Sequence, residues 1–259
     1  MRRGRLGAFA VSAAAAVVCV YLLVPSVAVL PLSVTATNFV VFPPHGFSTG
    51  WYQALFTSQV WRNALISSFS VASLTTLVAT PVGTMMALGL ANFHGWLARA
   101  SNFIVLLPII VPTIVTAVAL YSALAPLGLV GTIPGLALAH TVLALPFVVI
   151  NVSAVLAKLD PRMVQAARSL GARPLAAFRL VTLPNLLPGV AAGALFAFLT
   201  SFDDFVVALF LAGVGAVTLP VQMWSGIRFE ISPVVAAAST VLLATSCLLL
   251  ALQRLVRGR

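Results

Sequence analysis

The sequence predicts an all-α integral membrane protein with about six transmembrane helices and both termini in the cytoplasm. Three observations carry that prediction. Hydrophobic residues make up 61% of the chain and charged ones only 7%, with a mean hydropathy of +1.14; a soluble domain needs about a quarter of its residues charged. Apolar runs long enough to cross a bilayer recur along the whole chain. The basic residues are confined almost entirely to alternate gaps between those runs.

In order, the runs are 6–30, 64–90, 102–124, 134–157, 188–212 and 233–252. Each approaches or exceeds the roughly 20 residues that a helix needs to cross the hydrocarbon layer. The first is too long to be only a removable signal peptide, and it lacks a cleavage site followed by a soluble domain. The domain division that follows is 1–59 for the first helix and an extracytoplasmic loop, 60–253 for the main transmembrane domain, and 254–259 for a basic cytoplasmic tail. A cytoplasmic loop, 158–187, interrupts the main domain.

Orientation follows from the positive-inside tendency. Arg2, Arg3, Arg5, Arg99, Lys158, Arg162, Arg168, Arg173, Arg179, Arg254, Arg257 and Arg259 fall on one side of a six-span chain. Only Arg62 and Arg228 fall on the other. The net charge of +10 is therefore a topology signal, and no nucleic-acid partner is implied.

Several chemistries are missing. Cys19 and Cys247 each lie inside an apolar run, where a thiol acts as a small hydrophobe, and they form no disulfide framework. His45, His94 and His140 have no metal-ligand spacing to a cysteine or carboxylate, so no metal site is expected. The only lysine, Lys158, stands between Ala157 and Leu159, which excludes a phosphate-binding G-x-x-x-x-G-K-[ST] loop. "GFSTG", 46–50, matches a hydrolase nucleophile pattern, but that pattern needs a strand-to-helix elbow for which this chain has no room. It reads as an external turn, with Trp51 and Tyr52 at the membrane interface. Two G-x-x-x-G matches, Gly131–Gly135 and Gly189–Gly193, read as close helix packing.

The loop 158–187 is punctuated like a folded element. Asp160 before Pro161 is a helix start, since Asp caps free N–H groups and proline suits the first helical position. That helix is expected to reach about Leu170, with Gly171 ending it in the left-handed conformation. Pro174 opens a second short helix, Pro184 closes it, and Pro188 starts the next span. The outcome is an ordered basic knob between two greasy runs.

The spacing of Ala166, Ala167, Gly171, Val181, Leu183 and Pro184, within "LDPRMVQAARSLGA" and "VTLPNLLPGVAAGALFAF", resembles the cytoplasmic EAA loop of permease subunits in binding-protein-dependent ABC importers. "SFDDFVVALFLAG" and "TLPVQMWSGIRFEISPVVAAAST" resemble the spermidine/putrescine branch of that family. The resemblance covers the chain from about Trp61 onward. It implies the type-1 ABC importer permease fold for 60–253 and a location in the bacterial inner (plasma) membrane. It also implies a coupling loop in which Asp160, Gln165, Ala166, Ala167, Gly171, Leu183 and Pro184 dock on a cytoplasmic ATPase. Gln165 stands where the family's acidic residue is usual, which removes an ion pair and leaves docking through Ala166, Ala167 and Leu170. The implied partners are a second permease subunit, two ATPase subunits using ATP and Mg, an extracytoplasmic binding protein and membrane lipid. The chain itself is expected to bind no cofactor and to catalyse nothing.

Asp203 and Asp204 lie within the fifth run, and an ionisable group at helix centre costs about 2.5–3.5 kcal/mol, so it usually faces a cavity or a partner. Adjacent helical residues point about 100° apart. One acid is therefore expected to line a pathway while the other caps a kinked half-helix or meets a neighbouring helix. A carboxylate at low dielectric favours a cation, and aromatic faces add cation–π attraction. Ser201, Phe202, Asp203 and Asp204, with Trp224 and Glu230 from the following external loop, form the candidate translocation pathway. Phe205 flanks the acids on the other side. Three other readings are weighed: the same permease role for an aminophosphonate or a metal chelate, an ion-coupled secondary transporter using the two acids, and an intramembrane hydrolase using Ser48.

Overall fold

The computed structural model describes residues 2–229 and 232–257, with side chains for 11–228 and 232–253. Among the described residues there are helices and no strand. They are α1 (Arg2–Ser33), α2 (Gly50–Thr57), α3 (Gln59–Leu90), α4 (Gly95–Ile110), α5 (Thr113–Leu124), α6 (Ile133–Leu156), α7 (Pro161–Ser169), α8 (Pro174–Ala177), α9 (Leu183–Phe202), α10 (Val206–Leu211), α11 (Leu219–Phe229) and α12 (Val234–Arg257). A helical fold is what lipid demands, because a helix satisfies its own backbone. The chain forms two compact units: one runs up to Arg62 and includes Met223–Thr245, and the other holds Asn63–Gln222 and the chain from Ser246 on.

In the first unit, residues 11–27 of α1 are exposed along an apolar surface. The loop after α1 folds back on itself through Ser48 N–H to the Val34 carbonyl (2.8 Å) and Ala36 N–H to the His45 carbonyl (3.2 Å). Trp51 and Tyr52 open α2 and anchor it to this turn. The indole N–H of Trp51 donates to the Thr35 carbonyl (2.8 Å), and the Tyr52 hydroxyl bonds Ser33 Oγ (2.7 Å). Ser48 Oγ accepts from Gly50 N–H at 3.1 Å, so "GFSTG" is a turn, with no strand beside it among the described residues.

The second unit is built on α3, α6 and α9. Bilayer lipid is as apolar as leucine, so helices here associate by close packing, which small residues permit. Val148 of α6 is the wedge. A Cβ added at Gly83 of α3 would sit 2.7 Å from Val148 Cβ, and one at Gly193 of α9 would sit 3.0 Å from Val148 Cα. Gly189 meets the Asn151 carbonyl in the same way, at 2.9 Å. The Gly189–Gly193 pair therefore has α6 as its neighbour. Gly131–Gly135 is not a helix-packing pair. Gly131 lies in a loop at φ 80°, its N–H bonded to the Leu211 carbonyl (2.8 Å), and Gly135 is pressed against the Leu129 backbone where α6 begins.

Three sequence expectations need correction. The run 102–124 is not one straight span: α4 and α5 meet at Val111 and Pro112 with a bend of 102°. The residue before a proline is pushed out of the α region, and Val111 is extended, at φ −73° and ψ 134°. Second, Pro184 does not close a helix. One apolar helical stretch runs Pro174–Phe202, with a π turn at Phe178–Thr182 inserted before the proline. Pro184 has no N–H for the carbonyl four residues back; the wider turn lets Leu183 N–H reach the Phe178 carbonyl, and Asn185 Nδ2 takes the Val181 carbonyl at 2.7 Å. Third, the run 188–212 is broken. Helix α9 ends at Phe202 and α10 starts at Val206.

Candidate translocation site

The break between α9 and α10 holds both acids, so they are not at the centre of a helix, and the 100° argument does not govern them. Asp203 is the C-terminal cap residue of α9 and is exposed. Asp204 turns inward. Its side chain is 10% exposed, its Oδ2 accepts the N–H of Ala208 at 3.0 Å in the first turns of α10, and the same oxygen stands 3.4 Å from His140 Nε2. Ser, Thr and Asp side chains compete with a helix for backbone groups and hold such breaks open.

His140 projects from α6 and is fully buried. Its Nδ1 lies 2.8 Å from Ser201 Oγ; Ser201 donates to Thr75 Oγ1 of α3 (3.2 Å), and Thr75 donates to the Ala137 carbonyl of α6 (3.2 Å). A buried polar chain thus ties α3, α6 and α9 together. Ser201, His140 and Asp204 stand in line as a nucleophile, base and acid would, but Ser201 is 3% exposed and spends its proton on Thr75. The arrangement holds helices; it presents no nucleophile.

The other candidate residues separate. Phe202 is 1% exposed, with its ring against Phe69 (centroids 4.9 Å) and Phe198 (5.5 Å), so it fills the core and offers no free face to a cation. Trp224 lies within α11 rather than in a loop, and is exposed in the first unit. Glu230 falls outside the described residues. Sequence reasoning passed over His140 and Thr75. The available signal was a lone ionisable residue inside an apolar span, which calls for a named partner, and the acids were the only candidates in another span.

The loop 158–187 takes the conformation its punctuation predicts up to Gly171. Asp160 Oδ1 accepts the Arg162 N–H at 2.9 Å and caps α7. At the other end Gly171 has φ 90°, with its N–H on the Arg168 carbonyl (3.0 Å) and the next N–H, of Ala172, on the Ala167 carbonyl (3.1 Å). That pair of bonds is a Schellman stop. No residue of α7 is buried; Gln165 and Ala166 are exposed, and Ala167 is half-buried. Leu170, between Arg168 and Arg173 in the sequence, is 89% exposed. Leu183 is half-buried and Pro184 exposed where α9 begins.

A helical bundle with a broken apolar span, one acid turned out and one tied down, has the makings of a membrane transport subunit. Residues 79–259 match the family described as binding-protein-dependent transport system inner membrane component, and the chain belongs to that family. It is 33% identical over 211 residues, 82% of each chain, to the spermidine/putrescine transport system permease protein PotC of Haemophilus influenzae. It is 32% identical over 207 residues to the putrescine transport system permease protein PotI of Escherichia coli K12, covering 76% of this chain and 73% of the relative. Among solved structures it superposes with TM-score 0.72 and 16% identity, over 95% of both chains, on a bacterial ABC transporter involved in the import of the acidic polysaccharide alginate. That last likeness speaks to the fold alone. The chain is a transport component of the inner membrane with the architecture of an ABC importer permease.

Proposed function

We propose that the chain forms part of a gated pathway for a cationic solute, spermidine, putrescine or a related polyamine, in an ATP-driven importer. Asp203 carries this reading: an exposed carboxylate ending an otherwise apolar span. An acid in that setting is costly unless it serves a cavity or partner, and at low dielectric it attracts ammonium groups over several ångströms. The transport systems named for the two permease relatives both carry polycations, which supports the same solute class. Ser201 and Asp204 act behind the lining, on the backbone that carries Asp203.

The proposed partners are a second, similar permease, two ATPase subunits that use ATP and Mg, and an extracytoplasmic binding protein. Helix α7 is the docking element for an ATPase: a capped turn ending at Leu170, whose side chain is 89% exposed. With Gln165 neutral, docking rests on shape and apolar contact through Ala166, Ala167 and Leu170.

The test isolates charge from shape. In vesicles carrying the assembled transporter, Asp203→Asn lowers uptake of labelled putrescine at least about tenfold, the scale of one lost charge-assisted contact. Assembly and basal ATP hydrolysis persist. Uptake at the unmutated level in this variant overturns the cationic reading.

A further inference from the structure

We propose that His140 is the positioning residue of the pathway: bonded to Ser201 on the α9 side of the break and facing Asp204 on the other, its ring holds Asp204 inward and leaves Asp203 as the acid that meets the solute. The inference rests on the reading of Asp203 given above.

The two acids sit differently at the break: Asp203 closes the last turn of α9, its N–H on the Leu199 carbonyl, while Asp204 precedes α10. Asp204 also turns inward, which needs a partner outside its own element. Asp204 Oδ2 accepts the Ala208 N–H at 3.0 Å and stands 3.4 Å from His140 Nε2. The first is local, and an aspartate can offer it from several rotamers. The second comes from another helix, and it is what gives the side chain a direction. Asp203 is exposed, and its backbone N–H lies on the Leu199 carbonyl at 3.0 Å.

The ring is placed for this work. It is fully buried on α6, and a buried polar ring without partners costs free energy at each nitrogen. Nδ1 is satisfied by Ser201, the next-to-last residue of α9. Among the described residues Nε2 has no hydrogen-bond partner, and it faces the Asp204 carboxylate at 3.4 Å. One imidazole therefore spans the break, from Ser201 in the last turn of α9 to Asp204 ahead of α10. Ser201 passes the restraint on to Thr75 of α3, and Thr75 to Ala137 of α6. The same ring is bonded to Ser201 just before the stretch Phe202–Phe205 and faces Asp204 within it.

The two nitrogens can be tested separately, because the amide of asparagine falls near the Nδ1 position of histidine and that of glutamine near Nε2. His140→Gln keeps the group that faces Asp204; His140→Asn keeps the one that faces Ser201. A purely space-filling role ranks the two variants alike, whereas positioning through Asp204 separates them. In vesicles holding the assembled transporter, with labelled putrescine, His140→Asn raises the apparent KM at least about tenfold. His140→Gln stays within about threefold of the parent, a difference smaller than one such contact. Basal ATP hydrolysis per assembled complex is retained in both. An unchanged KM in His140→Asn, or equal impairment of the two variants, overturns the proposal. Should neither variant assemble, Ser201→Ala removes one anchor of the ring without touching its volume; a raised KM there supports positioning and an unchanged one overturns it. Asp203→Asn, assayed alongside, separates the two levels. Unmutated uptake in Asp203→Asn sinks the pathway reading itself, while a defective Asp203→Asn beside a normal His140→Asn sinks only the role of His140.

Discussion

At the scale of single residues, what holds this bundle together is the absence of side chains as much as their presence. In lipid there is no hydrophobic drive between helices, so stability depends on how closely backbones approach. Gly83 and Gly193 let α3 and α9 close on Val148, which is fully buried. Gly89 belongs to the same helix as Gly83 but has nothing within 4 Å of its virtual Cβ. The two positions therefore predict opposite signs. Gly83→Ala overpacks Val148 and costs about 1–3 kcal/mol; Gly89→Ala fills open space and gains about 0.5–1 kcal/mol from helix entropy. Thermal unfolding of the purified subunit in detergent checks both, and equal shifts would refute the packing scheme. Sequence reading found the acids and the Gly189–Gly193 pair because composition makes them conspicuous. It did not find the His140–Ser201–Thr75 chain, because the meeting of the three depends on the rotation of three helices.

At the scale of elements, local chemistry was legible wherever one residue decides the backbone. Asp160, Pro161 and Gly171 marked both ends of α7, and the structure uses each as cap, first-turn residue and left-handed stop. Prolines were less readable, because their effect depends on what surrounds them. Pro112 forces a bend of 102° between α4 and α5, whereas Pro184 is carried inside a continuous helical stretch by the π turn before it. Gly171 offers the cleanest test. Its virtual Cβ meets nothing, so a substitution there strains only the backbone, at φ 90°. A β-branched residue is the worst occupant of that region and asparagine the best after glycine. Gly171→Val is expected to lower substrate-stimulated ATP hydrolysis several-fold on the strength of a strain of about 1–2 kcal/mol, with the subunit still in the membrane. Gly171→Asn should retain most of it. Equal coupling in the two variants would show that the turn is not what places α7.

For the molecule as a whole, the open question is which way the chain threads the membrane, and the bent pair α4–α5 decides it. If the pair crosses, six spans result, and the basic residues keep the twelve-to-two division read from the sequence. If the pair instead dips in and returns, every later segment changes side. Lys158, Arg162, Arg168, Arg173, Arg179 and the three C-terminal arginines would then lie across the bilayer from Arg2, Arg3, Arg5 and Arg99, and the division dissolves. Positive charge near short loops sets orientation during insertion, so the crossing arrangement is the expected one. It puts the loop before α2 and the turn after α5 outside, and α7 inside, where an ATPase can reach it. Three cysteines read this out on a background with Cys19 and Cys247, both exposed, replaced by alanine. Ser48→Cys and Leu127→Cys should react with a membrane-impermeant maleimide added to intact cells, while Ser169→Cys should react only after the membrane is opened. Labelling of Ser48→Cys but not Leu127→Cys in intact cells would make α4–α5 re-entrant and move α7 to the wrong face for coupling. Labelling of Ser169→Cys alone would invert the whole chain.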